Sequence, residues 1–313
     1  MAISTRVAFG QELTALAADH DFVVCNADTK ACNLENFGKQ YPDRDFSIGI
    51  AEQNLMGVAS GLASCGHKVY AATFAVFTSM RACEQVRQFI CYPKLNVTVI
   101  GTHVGLQVGG DGATHAAVED IGIFRSMPNM TIVQPSDEVS ARAIARASLD
   151  FEGPLYIRLH RNPEEDIHQA DSYRFQLGKA HMVENHGSDA TIFVSGILLG
   201  KALEAAKRLK MEGINVRVTE IHTIKPLDQE AVMQAAQETG AIVTVEDHNI
   251  IGGLGSAVAE VLAEHCPVPM KRIGIQDRFG SSGDAELLYA EHKMSVMDIV
   301  SSTKEVIARK KSH

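Results

Sequence analysis

Apolar positions along the chain follow two alternating periods. Over residues 5–17, Val7, Leu13 and Leu16 fall near one helical face behind a candidate cap at Ser4. Residues 22–25 form a continuous apolar run that predicts a buried strand, followed by a polar turn over 26–33. Leu55, Val58, Ala59 and Leu62 are spaced i, i+3, i+4, i+7 and predict a helix over 53–65. Strands then follow over 69–77, 96–100, 131–133 and 155–159, with helices near Met80, Cys83 and Val86, over 121–124 and over 137–149. A polar run at 162–176 breaks this rhythm. It resumes with strands at 191–194, 216–220, 241–245 and 270–273 and helices at 200–211, 229–238 and 256–265. Strands alternating with helices imply an α/β chain with two parallel-sheet-type domains. The expected division is a first domain over 1–165, a linker over 166–185 and a second, smaller domain over 186–313.

Composition agrees with that division and narrows the partners. A length of 313 residues suits two domains at roughly 150 residues each. The net charge of −9 comes without a basic stripe, so nucleic acid is not an expected partner. The six cysteines, at 25, 32, 65, 83, 91 and 266, form no CxxC pair, so neither a zinc site nor a disulfide framework is suggested. No apolar run approaches the ~18 residues of a membrane helix, and the N-terminus has no apolar signal core. The expectation is a reduced, cytoplasmic chain that does not meet a membrane.

Candidate chemistry concentrates at strand ends. The Gly-rich run after the 96–100 strand carries His103, Asp111 and His115 within 13 positions, at the sheet edge where open α/β folds bind ligands. It is neither a Walker loop nor GxGxxG, and a plain surface loop is the alternative. Glu52 opens a helix, where a carboxylate usually serves as a cap or dipole partner, but Ile48, Ile50, Leu55 and Met56 surround it in sequence. Phe74 and Phe77 suit either core packing or a stacking surface for a planar ring. Arg161, just past a strand, is an anion candidate, with solvation as its alternative. The run 252–255, Gly-Gly-Leu-Gly, suits an anion site at a helix start or a tight packing turn.

Four longer runs resemble the C-terminal half of transketolase: GIAEQNLMGVASGLA (49–63), ATFAVFTSMRACEQVR (72–87), GTHVGLQVGGDGATHAAVEDIGIFRSMPNMTIVQPSD (101–137) and VEDHNIIGGLGSAVAEVL (245–262). The resemblance spans essentially the whole chain and implies a pyrimidine-binding domain followed by the transketolase C-terminal domain. Deoxyxylulose-phosphate synthase shares the rhythm and is the nearer competitor. By position, the resemblance makes Glu52 the catalytic Glu that hydrogen bonds the aminopyrimidine of thiamine diphosphate. It places Phe74 and Phe77 on that ring, with Phe77 the more direct stacker, and puts Met80 where the family often has a third aromatic. His103, Asp111 and His115 fall on the substrate channel, with Asp111 on a substrate hydroxyl and His115 on a substrate oxygen or a proton. Arg6, His103 and Arg161 fall on groups that hold the sugar phosphate. The family's SADLxxSN loop reads Asn-Ala-Asp-Thr-Lys-Ala-Cys-Asn over 26–33, so Cys32 replaces a phosphate-binding Ser and Lys30 is an added cation.

The family's GDG…N motif, which holds the diphosphate and Mg²⁺ (or Ca²⁺), has no counterpart outside the 101–115 loop. The resemblance therefore implies a split transketolase in an α2β2 assembly. An N-terminal partner subunit would carry the metal, and no metal ligands are assigned to this chain. The substrates implied are sugar phosphates exchanging a two-carbon ketol unit. Alternatives are an enzyme for a sulfonated or branched sugar, a deoxyxylulose-phosphate-synthase-like carboligase, or a non-catalytic binding subunit.

Overall fold

A computed structural model describes residues 2–29 and 32–310; Lys30 lies outside the described residues. The strands are β1 Val23–Asn26, β2 Asp45–Ser47, β3 Val69–Phe74, β4 Val97–Thr102, β5 Thr131–Val133, β6 Leu155–Leu159, β7 His181–Asn185, β8 Ala190–Val194, β9 Val216–Glu220, β10 Thr223–Lys225, β11 Ile242–Asn249 and β12 Met270–Ile275. Among the described residues, one sheet has seven strands in the order β10-β5-β6-β4-β3-β1-β2, and the other has five in the order β12-β11-β8-β9-β7.

The central strands β4, β6 and β8 are buried along their whole length, as continuous apolar runs covered by helices on both faces should be. Both sheets are parallel except at one edge. β7 runs antiparallel to β9, so residues 181–185 of the span read as linker belong to the second sheet. β10 runs antiparallel to β5 and so extends the first sheet with residues that follow β9 in the chain.

The helix Glu52–Ser64 buries positions 52, 55, 56, 59, 60 and 63, a face rotated from the expected one, since Val58 and Leu62 are only half-buried. The helix expected around Met80, Cys83 and Val86 is interrupted: π-turns at Phe77–Arg81 and Val86–Cys91 flank a short α-helical turn. Such wide turns recur where a helix must present side chains to a site. Register assembles that site. Phe74 pairs with Thr102 across β3 and β4, and Thr102 pairs with Leu159 across β4 and β6. The residues leaving these three strands therefore emerge side by side at one carboxyl edge.

Candidate active site

Glu52 lies at this edge, 1% exposed at the start of its helix. Arg81 Nη1 donates to its Oε2 at 2.9 Å, while Oε1 is buried with no partner among the described residues. The guanidinium carbon of Arg81 stands 4.3 Å from the centroid of the Phe77 ring. Residues 77 and 81 stand four apart on one helical segment, which brings them together. Phe77 and Phe74 are stacked, with centroids 5.9 Å apart and planes 16° apart. His115 meets Phe77 edge-on at 5.5 Å, and His103 lies 4.0 Å from Phe74. Met80 is half exposed beside them.

His103 is the first residue past β4 and has φ 59°, a left-handed conformation that is strained for a histidine. Burial, reinforced by Arg6, Arg161 and His115, pushes its imidazole down to about 3, so the ring is neutral at pH 7. Its Nδ1 pairs with Thr102 Oγ1 at 2.9 Å. Arg161 Nη1 donates to Asp111 Oδ2 at 3.0 Å and to the Val108 carbonyl at 2.6 Å, and Arg6 Nε donates to the Arg161 carbonyl at 3.3 Å. The structure thus gathers Glu52, Phe74, Phe77, His103, His115, Asp111, Arg161 and Arg6 around one edge.

Cys32 differs in kind. It is fully buried in the core cluster with Phe9, Leu13 and Phe37, and it borders a cavity of about 160 Å³ with Asn26 and Asp45. Burial pushes its thiol up to about 12, with Arg6 acting in the opposite direction. Arg81 is the member that sequence reasoning missed. Its signal was the i+4 spacing from Phe77, readable only if the segment is helical.

An acceptor beside an aromatic pair would suit the pyrimidine half of thiamine diphosphate. A buried, orphaned carboxylate oxygen needs a hydrogen-bond donor, and the aromatic pair beside it suits a planar ring. No group of three or more His, Cys, Asp or Glu able to hold a metal ion occurs among the described residues.

The chain is thus a two-unit α/β protein with an acid beside an aromatic stack at one sheet edge. The model of the transketolase pyrimidine-binding domain matches residues 1–163, and that of the transketolase C-terminal domain matches residues 178–299. The chain belongs to the transketolase family of transferases. It is 41% identical over 293 residues to the 6-deoxy-6-sulfo-D-fructose transketolase subunit SqwH of Clostridium sp. (strain MSTE9), covering 93% of this chain and 90% of that protein. It is 36% identical over 309 residues to one subunit of the apulose-4-phosphate transketolase of Phocaeicola vulgatus, covering 98% of each. A solved structure described as a split-gene transketolase in an inactive β4 tetramer is 43% identical with a TM-score of 0.92, covering 98% of this chain and 99% of that one.

Proposed function

We propose that this chain is the C-terminal subunit of a two-chain, thiamine diphosphate-dependent transketolase, moving a two-carbon ketol unit from a ketose phosphate to an aldose phosphate. The observation that carries the reading is the buried, unpartnered Glu52 Oε1 beside the Phe74–Phe77 stack. When bound, thiamine diphosphate supplies the carbanion chemistry that breaks and forms the C–C bond. Glu52 holds a proton at the pyrimidine ring nitrogen, and Phe77, backed by Phe74, fixes the ring plane. His115 and neutral His103 offer a nitrogen to substrate oxygens, Asp111 takes a hydroxyl, and Arg6 and Arg161 face the terminal anion. An N-terminal partner subunit supplies the diphosphate and Mg²⁺ (or Ca²⁺) site in an α2β2 assembly, a reading supported by the naming of both relatives as transketolase subunits.

Mixing the chain with its partner, cofactor and Mg²⁺ should give ketol transfer. Glu52→Gln in that mixture should lower kcat by about 10²–10⁴-fold, the range for a lost acid–base group. Full activity of the Gln variant would overturn the assignment. A sulfonated or branched sugar is the second reading. It is favoured by the buried Cys32 in place of a phosphate-binding Ser, since a thiol is a weak donor, and by the relative named for a sulfosugar. A substrate panel separates the two: a clear preference for unsubstituted pentose and tetrose phosphates removes the second.

A further inference from the structure

The loop from His103 to His115 begins and ends at the candidate active site, yet its backbone rests on the second unit. Leu106 N donates to both carboxylate oxygens of Asp247, at 2.9 and 3.2 Å. Tyr289 OH donates to Asp247 Oδ2 at 2.8 Å, and Arg158 Nη2 donates to the Asp247 carbonyl at 2.9 Å while its Nε holds Asp120 at 2.8 Å. Three glycines of the loop have left-handed φ, and each faces the same unit. A Cβ on Gly105 would sit 2.1 Å from Asp247 Oδ2, and one on Gly112 would sit 2.3 Å from Ser282 Oγ. The Gly109 carbonyl accepts from Gly283 N at 3.4 Å. Asp247 is 1% exposed and comes from the end of β11, whereas Tyr289 comes from the helix Ala285–Glu291. Their hydrogen bonds run to Leu106, to Arg158 and to each other. A carboxylate buried at this depth is retained where its hydrogen bonds fix a conformation.

We propose that Asp247, with Tyr289 behind it, is a positioning residue: it clamps Leu106 and thereby sets where His103, Asp111 and His115 stand. The inference rests on the loop being the substrate wall. It assigns the second unit a task in substrate recognition, carried out from outside the pocket.

Hydrogen exchange on the chain alone, followed by mass spectrometry, tests the clamp. Asp247→Ala and Tyr289→Phe should each speed exchange over residues 105–112, by about tenfold for the Ala variant. Asp247→Asn, which keeps an acceptor for Leu106 N, should restore most of the protection. Unchanged exchange over 105–112 in both Asp247→Ala and Tyr289→Phe would overturn the clamp, and the Phe variant decides if the Ala variant does not fold. In the reconstituted enzyme, Tyr289→Phe should raise the sugar KM while leaving cofactor affinity within about twofold of the parent, and Asp247→Asn should keep the KM near the parent's. Equal losses in cofactor affinity and sugar KM would mean general loosening and would overturn positioning. If the parent mixture shows no ketol transfer, the functional reading falls, while the exchange measurement still decides the clamp.

Discussion

Glu52 and Arg81 form a pair whose members differ sharply in environment: side-chain exposure is 1% for the acid and 49% for the base. Removing the base leaves a buried charge without its counter-ion, which is costly, although the exposed partner reduces the effect. Arg81→Met should therefore destabilise the chain by about 1–2 kcal/mol in urea unfolding, and much less in a Glu52→Gln background. Equal effects in the two backgrounds would mean that the pair is uncoupled. The burial of Glu52 was half legible in the sequence. Positions 52, 56, 59 and 63 share a helical face, but the apolar spacing at 55, 58, 59 and 62 pointed to a neighbouring one. Arg81 was legible only as the residue four past Phe77, a spacing that points to contact only once the segment is known to be helical. Asp111 and Arg161 were each assigned to substrate, and their mutual pairing at 3.0 Å arises from register between distant segments.

Helix ends account for two more features. The helix Glu138–Asp150 starts at Asp137, whose side chain accepts from Ser140 N in a capping box. Its Oδ2 also accepts from His168 N and Nδ1 at 2.8 Å each, and His168 Nε2 lies 3.0 Å from Glu220 Oε2 at the end of β9. Burial works against the charged imidazole, but hydrogen bonds and charge from Asp137 and Glu220 raise it to about 9. A histidine raised in the folded state stabilises fully below its unfolded value, and that contribution is lost as pH rises toward the folded one. Unfolding free energy should thus fall between about pH 6.5 and pH 9, by an amount on the order of 2 kcal/mol. His168→Gln should flatten that limb in denaturant titrations at several pH values, and an unaltered slope would refute the assignment. The Gly-Gly-Leu-Gly run at 252–255 left an anion site or a turn open. The helix Leu254–His265 receives a carboxylate from within the chain, because Leu254 N and Gly255 N donate to Glu246 at 2.6 and 2.7 Å. The long central strands were legible from their apolar runs. The short strands β7 and β10 were not, since three to five mixed residues at an edge carry no pattern.

At the scale of the molecule, the polar segment after residue 162 joins units that are also held by buried charge. Asp137, His168 and Glu220 link the first unit, the segment and the second, and Arg158 reaches Asp247 from β6. Arg174 is exposed on that segment while Tyr173 is buried. Limited trypsin cleavage at Arg174 should give two fragments on a denaturing gel that still elute together under native conditions. Separate elution would show that the peptide bond, rather than these contacts, joins the units. The two-unit plan was visible in the alternation of strands and helices, but the exchange between the units was not, because nothing local marks a strand that joins another sheet.

That exchange bears on the order in which the chain is synthesised. β10 covers the outer edge of β5, so the first sheet is not finished when its own stretch of sequence is complete. Until residue 225 has emerged from the ribosome, the backbone groups of 131–133 stand as an open row of donors and acceptors, a surface to which another nascent chain can add. The first unit therefore completes its folding only after the opening part of the second has been translated.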